Sequence, residues 1–337
     1  MKLSELGEFG LIEVIQKSIA KSRNAQLDSW KQLIVGTGDD AAAWQSNSHI
    51  QLATTDTMVQ DIHFDLSLIT WEELGYKAMA ANLSDIAAMG GIPEYALVSL
   101  ALPGELDVED IHELTHSMAH LAEEFGVAIV GGNLAAAPNI IITITIIGCA
   151  KGKILLRRST ASPGDQIAVT GYLGLSAAGL EILQGKACLH PETSNILRQG
   201  HVHPIPRIEE GQILVEHGVN TAIDISDGLI ADLDHVCESS KVNARIELER
   251  IPVHPAVKAN FSNYEQLALR GGEDYELLFT ADNATITRVK QVLKCPVTVI
   301  GDIREEEARQ RITIIDGKGN VIPYKRSGWE HFKNGIL

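Results

Sequence analysis

Aspartates concentrate where one secondary-structure element is expected to give way to the next. They occupy the segments GTGDDAA, TTDT, NLSDIAAMGG and AIDISDGL, as Asp39, Asp40, Asp56, Asp85, Asp224 and Asp227. Singly, each also suits a turn or a helix cap, which are common roles for Asp. Asp85 is harder to explain in this way, because it shares an Ala-rich helix face with Asn82, where a charge without a partner is costly. Carboxylates gathered at one site would repel each other, and Mg²⁺ is the hard, oxygen-preferring cation that would neutralise them.

Phosphate handling, if it occurs, must rest on Gly-rich turns, helix N-termini and metal. The chain contains neither a P-loop GxxxxGK[ST] nor the HRD and DFG motifs of protein kinases. Two segments suit such turns, GGN at 131–133 after the strand-like VAIV and GGED at 271–274. Each is also ordinary turn chemistry when taken alone.

The motifs, taken in order along the chain, carry a family resemblance. The segments are GEFGLI, GTGDDAA, TTDTMVQDIHF, YKAMAANLSDIAAMGGIP, IVGGN, RRSTASPGD, IDISDGLIADL, GGEDYELLFT and GWEHF. From Gly7 to Phe332 their order and spacing resemble the thiamine-monophosphate kinase family. NLSDIAAMG with SDGL resembles the wider superfamily of aminoimidazole-ribonucleotide synthetase-like ATP enzymes. TDT, the following HF and GGEDYEL resemble the thiamine enzymes in particular.

The resemblance implies an ATP-dependent phosphorylation of thiamine monophosphate to thiamine diphosphate, with several Mg²⁺ ions and ATP as co-substrate. The implied metal ligands are Asp40, Thr54, Thr55, Asp56, Asp85, Asn133, Asp224 and Asp227. The implied ATP contacts are Gly132, Asn133, Arg158 and Ser226, and the implied substrate contacts are His63, Glu273 and Trp329. The side-chain chemistry agrees, because Arg158 offers a planar fork to phosphate and Trp329 a flat face to a cationic ring.

One position departs from the family pattern, which reads GGDT where this chain reads GGNL. Asn133 keeps a carbonyl oxygen but loses the charge of a carboxylate, so we expect weaker metal affinity there. Two other functions stay open, namely another ATP-dependent enzyme of the superfamily, or an ATP-binding protein whose catalysis is impaired by Asn133. ADP formation that requires thiamine monophosphate would distinguish the kinase from both.

The elements that must position these residues fall into two α/β domains, at residues 1–150 and 151–337. In the first we predict helices at 7–22, 70–89 and 107–125, and strands at 33–36, 50–59, 95–102, 127–130 and 139–147, with a turn at Gly131 and Gly132. In the second we predict helices at 175–184, 227–239 and 284–294, and strands at 166–170, 221–225, 243–249, 275–280, 297–300 and 311–315. The expected class is α+β or α/β, in the two-domain aminoimidazole-ribonucleotide synthetase-like fold. Its first domain would bind ATP and Mg²⁺ and form a homodimer through its sheet, and its second, an α/β sandwich, would complete the nucleotide and substrate site.

Net charge, apolar segments and cysteine spacing argue against a nucleic-acid-binding, exported, membrane-spanning or zinc-binding protein. A net charge of −16 disfavours nucleic-acid binding, since a phosphate backbone would repel the chain. The N-terminal stretch lacks the features of a signal peptide, and the apolar run at 140–150 is too short to span a bilayer. The four cysteines are scattered, which argues against structural zinc and favours the reducing cytoplasm.

The histidines outside the motifs are interpreted as structural or solvated. His112, His116 and His120 share the polar face of the predicted 107–125 helix. His201 and His203 lie in a Pro-bound turn, HVHPIPR, and are assigned no role in chemistry.

Overall fold

A computed structural model describes residues 31–36, 39–46, 49–306 and 311–324. Within these ranges the chain forms two β-sheets, one from each half. The helix predicted at 7–22 and the GWEHF segment, with Trp329, lie outside the described residues. None of the helices in the described ranges has the length and apolar character needed to cross a membrane.

The first sheet has six strands in the order β1-β2-β3-β6-β4-β5. The strands are β1 (Leu33–Val35), β2 (Ala42–Ser46), β3 (His49–Val59), β4 (Gly91–Leu102), β5 (Ala128–Ala136) and β6 (Ile141–Ala150). Helices α1 (Trp71–Ala88) and α2 (Val108–Glu124) cover one face. Ile142, Ile144 and Ile146 of β6 are buried, whereas the residues between them are partly exposed, so the sheet has one packed face and one open face.

Helix α1 is the central element of the site. It starts with a capping box, in which the Thr70 hydroxyl accepts from the Glu73 N–H at 3.2 Å and the Glu73 carboxylate accepts from the Thr70 N–H at 2.9 Å. It ends before Gly90, whose φ of 67° suits the left-handed region. The predicted span of 70–89 therefore agrees with the structure. Because α1 is buried for most of its length, its polar side chains need partners.

The turn predicted at Gly131 and Gly132 is wrong, because β5 continues through both residues. β5 pairs in parallel with β4, and Gly132 lies opposite Val98. A Cβ atom at Gly132 would lie 1.7 Å from the Val98 carbonyl oxygen. This glycine therefore permits the close approach of two strands and does not form a turn.

The second sheet has seven strands in the order β13-β12-β9-β11-β7-β10-β8. They are β7 (Gln166–Thr170), β8 (Thr221–Asp224), β9 (Asn243–Glu247), β10 (Leu277–Ala281), β11 (Val297–Arg304), β12 (Ile312–Ile315) and β13 (Val321–Ile322). Neighbours pair antiparallel except β12 and β9, which are parallel. The helices are α3 (Leu175–Leu183), α4 (Pro191–Val202), α5 (Ile208–Glu216), α6 (Leu229–Ser240), α7 (Pro255–Asn260), α8 (Tyr264–Arg270) and α9 (Asn283–Val292).

Several of these elements were absent from the sequence prediction, among them β2, α4, α5, α7 and α8. Helix α4 reads PETSNILRQGHV and buries only Leu197, His201 and Val202, too few apolar positions for a clear helical period. Helices α7 and α8 have six and seven residues, which is too short for periodicity to be informative.

Candidate active site

Three aspartates from distant segments meet in one cluster. Asp40 comes from the segment before β2, Asp85 from α1 and Asp224 from the end of β8. Their carboxylate oxygens lie within 4.8 Å of one another. Asp40 and Asp224 are buried, with 8% and 2% of their surface exposed. The cluster thus joins the two halves of the chain, and it contains three of the residues predicted as metal ligands.

One turn of α1 organises the cluster through the NLSD segment. The Asn82 side chain accepts from the backbone N–H of Asp56 at 3.0 Å, and Ser84 donates to Asp224 at 2.7 Å. Asp85 accepts from the Thr54 hydroxyl at 2.6 Å. The helix therefore positions carboxylates from β3 and β8 while it contributes one of its own.

The electrostatics of the cluster favour a bound cation. Burial raises the pKa of Asp85 well above its usual value, and the nearby Asp56, Asp224 and Asp40 raise it further. Burial and then Asp40 likewise raise the pKa of Asp224. Carboxylates in this arrangement resist ionisation unless positive charge is supplied. The all-oxygen donor set fits Mg²⁺, which binds carboxylates and retains open positions for phosphate oxygens.

Arg158 supplies positive charge beside the cluster. Its Nη2 and Nε donate to the two carboxylate oxygens of Asp40 at 2.6 and 3.1 Å. Burial and then Asp40 raise the pKa of the neighbouring Asp39 to about 7, although Arg158 opposes the shift. A guanidinium that pairs with a carboxylate through two parallel bonds presents the geometry that also matches phosphate. Arg158 thus lies where an anionic ligand would meet the cluster.

The loop after β8 carries Ser226 and Asp227 and is shaped by Asp232, which sequence analysis missed. The backbone N–H groups of Asp227 and Gly228 donate to the Asp232 carboxylate at 3.2 and 3.0 Å. Asp232 is 2% exposed. Burial, followed by Asp227, raises the pKa of Asp232. An acidic residue in the first turn of α6 is the signal that would have identified this capping role.

The GGED loop packs directly onto this segment. The Glu273 N–H donates to the Ser226 carbonyl at 2.8 Å, and a Cβ atom at Gly272 would lie 2.4 Å from the same oxygen. Glu273 and Tyr275 have φ of 63° and 50°, in the left-handed region that non-glycine residues rarely adopt. Such strain persists only where surrounding contacts enforce it, and it is frequent at functional sites.

Glu273 and His63, both predicted to contact substrate, lie near each other. Burial opposes ionisation of Glu273, but Lys77 and His201, with a smaller effect from His63, hold its pKa below the usual value. His63 is fixed by the Val59 N–H, which donates to its Nδ1 at 3.0 Å. The sequence predicts no role for Lys77 and a place in a Pro-bound turn for His201, whereas the structure places His201 in α4.

Other predicted residues lie away from the cluster. Gly132 is in register with Asp56 through β4 and β6, three strands away, or about 14 Å at the usual strand spacing. Asn133, the next residue, is in register with Thr143 through Ser99 and therefore faces the open side of the sheet. Thr55 also faces that side, where its hydroxyl donates to the Ile144 carbonyl at 3.1 Å. Within one copy, these residues do not join the three clustered aspartates.

Comparison with known proteins gives matches along nearly the whole chain. The sequence matches AIR synthase related proteins, with the N-terminal domain of that family over residues 38–150 and its C-terminal domain over residues 162–313. The thiamine-monophosphate kinase of Haemophilus influenzae is 40% identical over 340 residues, covering 97% of this chain and 98% of that protein. That of Bacillus subtilis is 37% identical over 309 residues, covering 89% and 94%.

A solved structure extends the match to three dimensions. AaThiL complexed with AMPPCP and TMP superposes with a TM-score of 0.83 at 32% identity, covering 98% of this chain and 99% of that one. The match spans both sheets and therefore the aspartate cluster between them.

Proposed function

The chain belongs to the thiamine-monophosphate kinase family, and we propose that it transfers the γ-phosphoryl group of ATP to the phosphate of thiamine monophosphate. The products are ADP and thiamine diphosphate. The observation that carries this proposal is the buried convergence of Asp40, Asp85 and Asp224 beside Arg158. Similarity to a structure complexed with AMPPCP and TMP supports ATP and thiamine monophosphate as the two substrates.

Mg²⁺ is the cation proposed for the cluster. Several ions would be held, at the cluster by Asp40, Thr54, Asp56, Asp85, Asp224 and Asp227, and on the open side of the sheet, beside a nucleotide bound across a dimer interface, by Thr55 and Asn133. When bound, Mg²⁺ would neutralise phosphate oxygens and orient them for in-line transfer. The raised pKa of Asp85 and Asp224, caused first by burial, supports this choice because the cluster lacks enough positive charge of its own.

ATP contacts are assigned to Arg158, Ser226, Gly132 and Asn133. Arg158 would exchange part of its pairing with Asp40 for a phosphate group, since its planar fork suits both partners. Gly132 and Asn133 lie three strands from Asp56, so we assign their contact to a nucleotide bound across a dimer interface.

Thiamine monophosphate contacts are assigned to His63, Glu273 and Trp329. Glu273 provides an ionised acceptor for the amino group of the substrate. Trp329 would stack on an aromatic ring, and it lies outside the described residues. The attacking phosphate oxygen is already an anion, so the protein needs no general base. Its contribution is to position two phosphates and to balance their charge.

A homodimer through the first sheet is part of the proposal. β4 and β5 expose large apolar side chains, namely Tyr95, Leu97, Ile129, Val130 and Leu134. A contiguous apolar edge of this kind is usually covered in solution. Residues 1–150 would then bind ATP and Mg²⁺ and form the dimer, and residues 151–337 would complete the site. Sedimentation as a monomer at micromolar concentration would contradict the dimer.

We further expect a cytoplasmic enzyme whose ligands are these small molecules, with no nucleic-acid or membrane partner. A net charge of −16 disfavours binding to a phosphate backbone. The four cysteines are free thiols, which suits a reducing compartment.

The test is ADP formation by the purified protein with ATP and Mg²⁺, with and without thiamine monophosphate. The expected result is ADP only when thiamine monophosphate is present. ADP formed equally without it would indicate a different ATP-dependent enzyme of the superfamily. ATP binding without any ADP would indicate that Asn133 has impaired catalysis.

A further inference from the structure

Lys77 is a buried lysine that the phosphoryl-transfer chemistry does not explain. It lies on α1 with 1% of its surface exposed. Its Nζ donates to Glu273 Oε2 at 2.9 Å and lies 3.0 Å from Nε2 of His201. A buried ammonium group requires partners of this kind, because desolvation without them is very costly. Lys77 thus joins α1 of the first domain to the GGED loop and α4 of the second.

The orientation of His201 follows from its surroundings. Burial, together with Lys77, lowers the pKa of His201 to about 4, so the ring is neutral near neutral pH. The Lys77 ammonium group can only donate, so Nε2 of His201 must accept. Nδ1 therefore carries the ring proton and donates to the Ser176 hydroxyl at 2.9 Å. His201 is thus a fixed acceptor that orients the Lys77 side chain.

Glu273 is fixed by its backbone contacts and by Lys77, and part of its side chain is exposed to solvent. Its backbone has φ of 63° and its N–H donates to Ser226, which fixes the start of the side chain. Its carboxylate binds Lys77 while 30% of the side chain remains exposed. Part of this side chain is therefore accessible to a ligand while Lys77 remains bound.

We propose that Lys77 and His201 are positioning residues: Lys77 holds the Glu273 carboxylate ionised and oriented for the thiamine portion of the substrate, and the neutral His201 orients Lys77. This inference rests on the proposed function, which assigns Glu273 to substrate binding. Neither residue touches the carboxylate cluster in the described contacts, so their effect falls on thiamine monophosphate and not on ATP.

The charged groups around Glu273 support a pH-based test. They are Lys77 from α1, His201 from α4, His63 from the turn after β3 and Tyr275 from its own loop. Burial acts to raise the pKa of Glu273, and Lys77 is the largest influence that lowers it. Without Lys77 we expect burial to raise the pKa of Glu273, so that Glu273 takes up a proton as pH falls toward that value. Substrate affinity should then decrease with decreasing pH.

The experiment measures binding of thiamine monophosphate and of AMPPCP by titration calorimetry to wild type, Lys77→Met, Glu273→Gln and the double variant. For Lys77→Met relative to wild type, we expect thiamine monophosphate affinity to be lower at about pH 6 and to recover toward about pH 8, by up to about tenfold for each pH unit below the raised pKa of Glu273. AMPPCP affinity should match that of wild type. Dividing the affinity of each variant by the affinity of wild type at the same pH cancels the effect that ionisation of thiamine monophosphate itself has on binding.

A Lys77→Met to wild-type affinity ratio that is constant across pH, or an equal loss of both ligands, would overturn the proposal. If Lys77→Met does not fold, the comparison of Glu273→Gln with the double variant decides, because the double variant removes both charges of the buried pair and the amide oxygen in Glu273→Gln can still accept from Lys77. The proposal requires both to have the same affinity and pH profile, since Lys77 acts only through Glu273. A further loss in the double variant contradicts it. ADP formation by wild type tests the proposed function separately.

Discussion

Asp85 is the single residue on which the chemistry of the cluster should depend most. It lies within reach of Asp40 and Asp224 and accepts a hydrogen bond from Thr54. We predict that Asp85→Asn lowers turnover by about a hundredfold or more, the scale of losing one electrostatic group at a reacting centre. The fold should be retained without metal, because the amide has nearly the shape of the carboxyl group and Asp85, with its raised pKa, resists ionisation there. Turnover and circular dichroism of the two proteins test this together.

Ser84→Ala is the matched control for Asp85→Asn. It removes the hydrogen bond to Asp224 and leaves every carboxylate in place. We expect Mg²⁺ affinity to fall by about tenfold, the lower end for loss of a residue that orients a metal ligand. Normal turnover in Asp85→Asn would remove Asp85 from the set of metal ligands.

Asn133 should raise the Mg²⁺ requirement of this enzyme. If a carboxylate at this position normally helps to hold an ion near the nucleotide, Asn133→Asp should lower the Mg²⁺ concentration for half-maximal activity and raise turnover. A Mg²⁺ titration of ADP formation for both proteins measures the effect. Superimposable curves would show that the side chain at position 133 is not a ligand.

Residue types in the sequence predicted the clustered aspartates better than they predicted the residues that hold the site in place. An aspartate in an Ala-rich helix or between a strand and a helix is conspicuous, and Asp40, Asp85 and Asp224 do converge. Ser84 and its partner Asp224 lie 140 positions apart, and Lys77 and its partner Glu273 lie 196 apart. Such pairs form only when the two halves of the chain pack together, and no local sequence pattern predicts them.

Among the elements, edge strand β5 gives the sharpest test of the fold. A Cβ atom at Gly132 would lie 1.7 Å from the Val98 carbonyl oxygen, whereas one at Gly131 would make an ordinary 3.6 Å contact with the Leu97 side chain. We predict that Gly132→Ala destabilises the protein by about 1–3 kcal/mol, the usual cost of overpacking. Denaturant unfolding measures the loss. Gly131→Ala is the matched control and should change stability by much less; equal effects would contradict the close approach of β4 and β5.

Elements with strong boundary signals were predictable, and those without were not. Helix α1 has a capping box at its start and a left-handed Gly90 after its end, so its sequence limits agree with the structure. The two glycines in β5 suggested a turn because local sequence cannot report how closely a neighbouring strand passes. Helix α4 was missed because its apolar positions are few.

For the whole molecule, the buried carboxylates should make the metal-free protein less stable as pH rises. Burial raises the pKa of Asp274 to about 7, and burial followed by Asp40 raises that of Asp39 to about 7. A group with a raised folded-state pKa stabilises the fold below its unfolded-state pKa, and this contribution is lost as pH rises through the folded-state value. We therefore predict that the thermal midpoint in a chelator falls from about pH 6 to about pH 8.

Added Mg²⁺ and the substitution Asp274→Asn distinguish the contribution of the clustered carboxylates to this pH dependence from that of Asp274. Mg²⁺ should raise the midpoint more at high pH than at low pH, because protons compete with the metal for the carboxylates. Asp274 accepts from the N–H groups of Gly174 and Ser176 at 2.7 and 3.0 Å, away from the cluster. Asp274→Asn should lower the midpoint at every pH but make its fall with pH shallower. A midpoint independent of pH in chelator would contradict the assignment of raised pKa values.

The most direct measurement follows the phosphoryl group itself. The protein is incubated with Mg²⁺, thiamine monophosphate and ATP labelled in its γ-phosphate, and the labelled product is identified by chromatography. We predict that thiamine diphosphate carries the label, in an amount equal to the ADP formed. With Asp85→Asn, labelled thiamine diphosphate should form about a hundredfold more slowly, or more slowly still. Label that appears only as inorganic phosphate, or that leaves ATP equally well without thiamine monophosphate, would contradict the assignment of this chain as a thiamine-monophosphate kinase.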